Sequence, residues 1–181
     1  MKRFFIVLCS LLILLTSCKE KVAVKKVKEY RVKTGGFIPR LSAPDFDEIS
    51  YYEDNIFYKS GYGMPNCTAY AWGRVYEILN KKPGLCPGNA RLWYAYNISN
   101  KIYKFGKKPI PGAVACFDNE YGGHVAVVEV IKDGIITFSN SAYKGSLFYL
   151  SYAGIKDKNP GQKGWIFQGY IYPKYPRDTS E

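Results

Sequence analysis

One cysteine and the only histidine of the chain are the residues best suited to carry out chemistry. Cys67 follows Asn66 at the predicted first turn of an amphipathic helix, because apolar residues recur after it at steps of three and four. A thiol there is close to the unpaired N–H groups of the first turn, which favour the thiolate. A free cysteine is otherwise often a small buried apolar residue. His124, at the start of a predicted strand, favours the chemical role because it could accept the thiol proton.

The hairpin after His124 brings a third polar residue, Asn140, into consideration. Side chains alternate along Gly123–Ile131, and the predicted turn is Lys132-Asp133-Gly134. A two-residue loop would point Asn140 away from His124, whereas a three-residue loop with a left-handed glycine would place both on one side. We predict the three-residue loop, because it also gathers more apolar residues on that face.

Cys67, His124 and Asn140 together would form the machinery of a cysteine hydrolase. The imidazole would take the thiol proton and later protonate the leaving amine, while the amide oxygen would orient the ring. Lowering the thiol pKa from about 8.5 by a few units would give a thiolate–imidazolium pair at neutral pH. A neutral Asn stabilises an imidazolium less than a carboxylate does, but it fixes the tautomer. By the same alternation Glu129 faces away from His124, and we interpret it as a charge on the outer face.

The elements that would position these residues follow an α+β order, with helices before an antiparallel sheet. The Cys67 helix is predicted to end near Asn80, before a Pro-Gly pair, and a shorter helix to run from Gly88 to about Ser99. After this second helix, the spacing of the apolar residues changes from a helical period to the alternation of strands. The predicted strands are Ala113–Phe117, Gly123–Ile131, Ile135–Asn140, Leu147–Ser151 and Trp165–Tyr172.

The N-terminal eighteen residues have the pattern of a bacterial lipoprotein signal peptide. Two basic residues precede an apolar run that is too short to span a membrane comfortably. The run ends in Leu15-Thr16-Ser17-Cys18, which resembles a lipobox, so Cys18 is the predicted lipidation site; an ordinary cleaved signal is the alternative. We expect a basic flexible tether over 19–44, a catalytic domain over 45–173 and a polar tail over 174–181. The product would be an extracytoplasmic, membrane-anchored lipoprotein.

Charge and cysteine usage narrow the possible partners. The chain carries a formal net charge of +11, and part of it is concentrated between Lys19 and Lys33, where a solvated tether would lie near anionic lipid or wall polymer. The remaining charge forms no stripe and no nucleic-acid-binding module is recognisable, so we expect no nucleic-acid partner. Cys86 and Cys116 could form a disulfide, although we favour no bridge. No zinc-ligand spacing occurs, and we expect neither a metal nor a cofactor.

Six segments resemble, in order and spacing, the CHAP domain family of cysteine- and histidine-dependent amidohydrolases and peptidases that act on bacterial cell walls. The resemblance implies a papain-like fold with helices packed on a strongly curved antiparallel sheet, with Cys67 as nucleophile and His124 as base. Tyr62 matches a tyrosine that could form an oxyanion hole with the Cys67 N–H, although it could equally be a loop aromatic covering the core. The segments are Asn66–Tyr70, Gly88–Trp93, Pro111–Ala115, Gly123–Glu129, Asp133–Thr137 and Phe167–Tyr172.

The chain departs from the family pattern after the histidine hairpin. Many members have Ser-Glu-x-Asn there, whereas this chain has Ser139-Asn140-Ser141-Ala142, so that Asn140 occupies the Glu position and the later Asn is absent. The implied function is a monomeric peptidoglycan hydrolase, either an N-acetylmuramoyl-L-alanine amidase or an endopeptidase, acting through a thioester. Two alternatives are a catalytically weakened lipoprotein that binds wall peptide or a partner, and an acyl or peptidyl transferase.

Overall fold

The computed structural model of the chain describes residues 37–176, of which residues 39–176 form one compact unit. The predicted signal peptide with Cys18, most of the tether and the end of the predicted tail lie outside the described residues. Within 37–176, no helix combines the length and the apolar character needed to cross a bilayer.

Within residues 37–176, three α-helices and a 3₁₀ turn precede the sheet. They are α1 (Ile56–Lys59), α2 (Cys67–Leu79), a 3₁₀ turn (Ala90–Leu92) and α3 (Trp93–Ser99). Helix α2 begins at Cys67 because the Asn66 side chain caps it, accepting the Thr68 N–H at 2.9 Å. It ends at Asn80, whose φ of 52° is left-handed. The predicted bounds of this helix are confirmed, and the second predicted helix is divided between the 3₁₀ turn and α3.

In the described part of the chain, six strands form one antiparallel sheet with the order β1-β6-β2-β3-β4-β5. The predicted α+β class is confirmed. Five strands match the predicted ones within a few residues, whereas β1 was not predicted because four residues are too few to show alternation. The strands are β1 (Tyr103–Gly106), β2 (Val114–Asp118), β3 (His124–Lys132), β4 (Ile135–Asn140), β5 (Tyr149–Gly154) and β6 (Ile166–Pro176).

Each face of the sheet carries its own apolar cluster. Val125 and Val127 of β3 pack with the α2 side chains on one face, and Ala126 and Val128 join Phe138 on the other. The alternation predicted for β3 is therefore confirmed from Val125 to Val128, but it is wrong for Ile131, which packs on the face of Ala126 and Val128. The strand thus has the α2 helix, with Cys67, against one face, and Ala126 and Val128 point to the opposite face.

The hairpin between β3 and β4 differs from its prediction in two ways that cancel. Lys132 pairs with Ile135, so the loop has two residues rather than three, with Asp133 and Gly134 both at positive φ (51° and 78°). A β-bulge between Val128 and Val130 then shifts the register by one residue. The predicted turn is wrong, but the bulge restores the alternation that the two-residue loop would have reversed.

Glu129 lies at this bulge and is not an exposed charge. It is on the α2 side of the sheet, away from His124 as predicted, but its exposed fraction is 0%. Arg74 of α2 donates to both of its carboxylate oxygens at 2.9 Å, the Ser139 hydroxyl donates at 2.7 Å, and the Arg40 backbone N–H donates at 2.7 Å. The interpretation as a surface charge is wrong because α2 covers this face and supplies the guanidinium.

Candidate active site

Cys67 is the first residue of α2 and lines a cavity of about 440 Å³. Its exposed fraction is 8%. Burial raises the pKa of the thiol, and hydrogen bonding from the backbone N–H groups of Val125, Thr68 and Cys67 itself lowers that pKa only in part. The predicted depressed thiol pKa is therefore wrong for the free protein, because burial of the sulfur outweighs the N–H groups around it. The hydrogen bond from the Val125 N–H also places the sulfur close to the backbone of His124, since Val125 directly follows His124.

His124 is held by Asn140 from the neighbouring strand. The imidazole Nε2 lies 3.0 Å from the Asn140 Oδ1. The Asn140 Nδ2 lies 3.3 Å from the Phe138 carbonyl oxygen and 2.9 Å from the Ser151 hydroxyl. Because a carbonyl can only accept, the amide nitrogen must be on that side and the amide oxygen must face the ring. Nε2 therefore carries the hydrogen of the neutral imidazole, and Nδ1 keeps the lone pair that a general base needs.

An aromatic wall covers the imidazole. The Trp165 ring centroid is 4.6 Å from that of His124, and the Phe117 centroid is 6.5 Å away. Burial lowers the pKa of His124, while the hydrogen bond that its ring donates to Asn140 opposes the shift. Since the pKa of the thiol is raised and that of the imidazole is lowered, the free protein holds both groups neutral at pH 7. The predicted thiolate–imidazolium pair is not the resting state.

The Cys67 thiol and the His124 imidazole line two different cavities and are not hydrogen-bonded to each other. Gly123 lines the 440 Å³ cavity with Cys67, and His124 lines a second cavity of about 210 Å³. Among the described residues, Asn140 is the one side chain to which the imidazole is hydrogen-bonded. In unliganded enzymes such catalytic contacts are often longer than in the substrate complex. The structure thus joins His124 to Asn140 directly and places Cys67 beside the backbone of the next residue.

Ser151 and Trp165 are site residues that sequence reasoning did not identify. Ser151 fixes the orientation of the Asn140 amide, and Trp165 shields the ring that this amide holds. Ser151 ends a predicted strand, but nothing local gives its register against β4. Trp165 is 41 positions from His124 and has no motif of its own.

Tyr62 lies at the rim of the Cys67 cavity, and its oxyanion role stays a prediction. Cys86 and Cys116 are buried free thiols.

An α+β domain with helices before a six-stranded antiparallel sheet is consistent with the papain-like class of folds. Residues 57–142 match the family model of the CHAP domain, and this part of the chain is a CHAP domain. The match includes Cys67, His124 and Asn140. No curated protein matches the chain. Membership of this family indicates amidase or peptidase activity on the bacterial cell wall.

The raised thiol pKa predicts how Cys67 reacts with iodoacetamide. Only the thiolate is alkylated, so the rate should increase with pH and reach half its maximum above about 8.5, the value of an unperturbed cysteine. The measurement is the rate of label incorporation at Cys67 between pH 5 and pH 10, followed by peptide mass spectrometry. A half-maximum below pH 7 would instead demonstrate a preformed ion pair.

Asn140→Ala should lower turnover by roughly 10- to 100-fold, because a hydrogen bond to a charged group is worth about 1.5–3 kcal/mol and the imidazole is charged during the reaction. Steady-state rates on wall fragments would measure the loss. Asn100→Ala is the matched control, since Asn100 is exposed at the end of α3. Equal rates for Asn140→Ala and the wild type would rule out the orienting role.

Proposed function

We propose that the chain is a peptidoglycan hydrolase in which Cys67 is the nucleophile and His124 the general base. The observation that supports this most strongly is the His124–Asn140 hydrogen bond, which leaves Nδ1 unprotonated in a residue whose neighbour, Val125, contacts the thiol. All of these residues lie within the CHAP match. The bond cut is the amide between muramic acid and alanine or a peptide bond of the stem or cross-bridge.

The reaction balances with these groups alone. In the substrate complex, where such contacts shorten, His124 Nδ1 takes the proton of the Cys67 thiol as the sulfur bonds to the substrate carbonyl carbon, so proton transfer accompanies attack by the neutral thiol. The Cys67 N–H and Tyr62 are the proposed donors to the oxyanion. When the carbon–nitrogen bond breaks, the imidazolium protonates the leaving amine and a thioester remains. Water then adds, its proton passes through His124 to the sulfur, and a carboxylic acid leaves.

Two alternative functions are compatible with the same fold. A wall-binding lipoprotein without turnover is favoured by one observation, the raised pKa of the buried thiol, which makes Cys67 a weaker nucleophile in the free protein. A transferase would pass the thioester to an amine instead of water. The neutral imidazole beside the Val125 backbone supports hydrolysis over simple binding, because a general base removes the need for a preformed thiolate.

Mass analysis of material released from purified wall sacculi tests the proposal. The hydrolase should release fragments whose combined mass exceeds that of the parent by one water for each bond cut, and the new ends identify the bond. Products joined to an added amine without a gain of water would indicate a transferase. Binding to sacculi without any release would leave only the wall-binding function.

We further propose that the protein is exported and held at the membrane by lipidation of Cys18, with the basic part of the predicted tether between the anchor and the domain. The last part of that predicted tether belongs to the domain instead, because Arg40 bonds Glu129 and Glu77. The support is the charged, apolar and small-residue pattern of the first eighteen residues. Cys18→Ala should move the protein from the membrane fraction to the soluble extracytoplasmic fraction. An unchanged membrane fraction for this variant would contradict the anchor.

A further inference from the structure

The Cys67 cavity is bordered by three tyrosines that project into solvent. The exposed fractions of Tyr62, Tyr121 and Tyr143 are 56%, 89% and 56%, and all three line the cavity with Cys67. They come from three separate loops: the one before α2, the one before β3 and the one after β4. Exposed aromatic rings around a nucleophile are unusual for folding alone, because each leaves a large apolar face in water.

The lining of this cavity carries no charge. Among the described residues that form it, none is Asp, Glu, Lys or Arg, and the polar groups are amides and hydroxyls. Asn89 is exposed in it, and because its side-chain oxygen accepts the Ala90 N–H, its NH₂ group is the part of this amide that can donate to a ligand. A volume of about 440 Å³ lies within the range of small-molecule sites.

These features match a neutral N-acylated amino sugar better than a stem peptide. A pyranose ring presents C–H groups on one face and hydroxyls around its edge, which suits the apolar faces and polar tips of tyrosines. A stem peptide carries carboxylate and amino groups, and its recognition would favour charged partners that this lining lacks.

The mechanism determines which part of the substrate occupies the Cys67 cavity. In attack by Cys67, the leaving amine must lie toward His124, which protonates it, so the acyl group extends into the Cys67 cavity. The acyl group of a sugar-to-alanine amide belongs to the sugar, whereas that of a peptide bond belongs to another amino acid. We infer that the tyrosine-bordered cavity is a subsite for the muramic acid residue, which makes the enzyme an amidase. This inference rests on the proposed hydrolase function.

Binding to the full-length Cys67→Ala chain tests the subsite without turnover. The two probes are N-acetylmuramoyl-L-alanyl-D-isoglutamine and the same dipeptide with an acetyl group in place of the sugar, titrated by calorimetry. We expect at least tenfold tighter binding of the sugar-bearing probe. Adding Tyr121→Ala and Tyr143→Ala should reduce that preference to less than threefold. The control, Tyr52→Ala, removes an exposed tyrosine outside both cavities and should leave the preference intact.

Equal affinity for the two probes, no binding of either at millimolar concentration, or a preference that survives loss of both tyrosines would overturn the subsite. The two proposals fail separately. Wild-type enzyme that cuts only within the peptide would retain the hydrolase and overturn the sugar subsite. Wild-type enzyme that cuts nothing, while Cys67→Ala still prefers the sugar-bearing probe, would retain the subsite and overturn hydrolysis.

Discussion

Replacing Cys67 with alanine should reduce the release of wall fragments by about 10⁴-fold or more, because no thioester can form without the sulfur. The variant should fold, since alanine is only slightly smaller than cysteine. Fragment release would be followed by the loss of turbidity of purified sacculi and by chromatography of the soluble products.

The control for this variant is Cys116→Ala, which removes another buried thiol. Cys116 has an exposed fraction of 0% on β2 and lines neither of the two cavities. It should keep wild-type activity at temperatures where it is folded. Turnover by Cys67→Ala, or an equal loss in folded Cys116→Ala, would show that Cys67 is not the nucleophile.

Glu129→Ala should destabilise the fold by about 3–5 kcal/mol, the cost of removing one member of a buried ion pair. The variant would leave the Arg74 guanidinium, itself buried, without its two bonds to the Glu129 carboxylate. The Ser139 hydroxyl and the Arg40 N–H would also lose an acceptor. Arg74 would retain Glu77, which limits the loss. Urea unfolding at pH 7 measures the change.

A control variant and a double variant test the cause of the loss expected for Glu129→Ala. Glu120→Ala removes an exposed carboxylate before β3 and should change the free energy of unfolding by less than about 0.5 kcal/mol. A double variant, Glu129→Ala with Arg74→Ala, should recover part of the loss because the buried Arg74 charge is removed together with its partner. A loss below about 1 kcal/mol for Glu129→Ala alone would show that the network does not hold α2 on the sheet. Below its unfolding temperature Glu129→Ala should retain more activity than Asn140→Ala, since Glu129 lies on the face away from His124.

The features that the sequence predicted correctly depend on neighbours along the chain. The start of α2 at Cys67 follows from the Asn66 cap and the apolar period, and both are local. The Asp133-Gly134 pair is also a local signal and is typical of the two-residue turn that the structure has, but the three-residue turn was predicted instead. The bulge at Glu129 compensates for that turn and has no local signal, so Asn140 was placed correctly from a wrong loop length.

The features that were missed depend on residues distant in the chain. Glu129 is buried because Arg74, 55 residues earlier, meets it across the sheet. The thiol pKa was predicted from the first helical turn, but its direction is decided by how deeply β3 and the loops bury the sulfur. Trp165 reaches His124 through a long connection before β6. Alternation within one strand contains none of this information.

Trapping the covalent intermediate tests the central claim most directly. Full-length wild-type protein would be mixed with a soluble muropeptide, quenched in acid within milliseconds to seconds, and digested for peptide mass mapping. The predicted result is a thioester on Cys67 that carries the acyl part of the substrate. The Cys67→Ala variant should show no adduct, and the peptide that contains Cys116 should show none in either protein. Turnover with no adduct on Cys67 at any quench time, together with an adduct on another residue, would contradict the account.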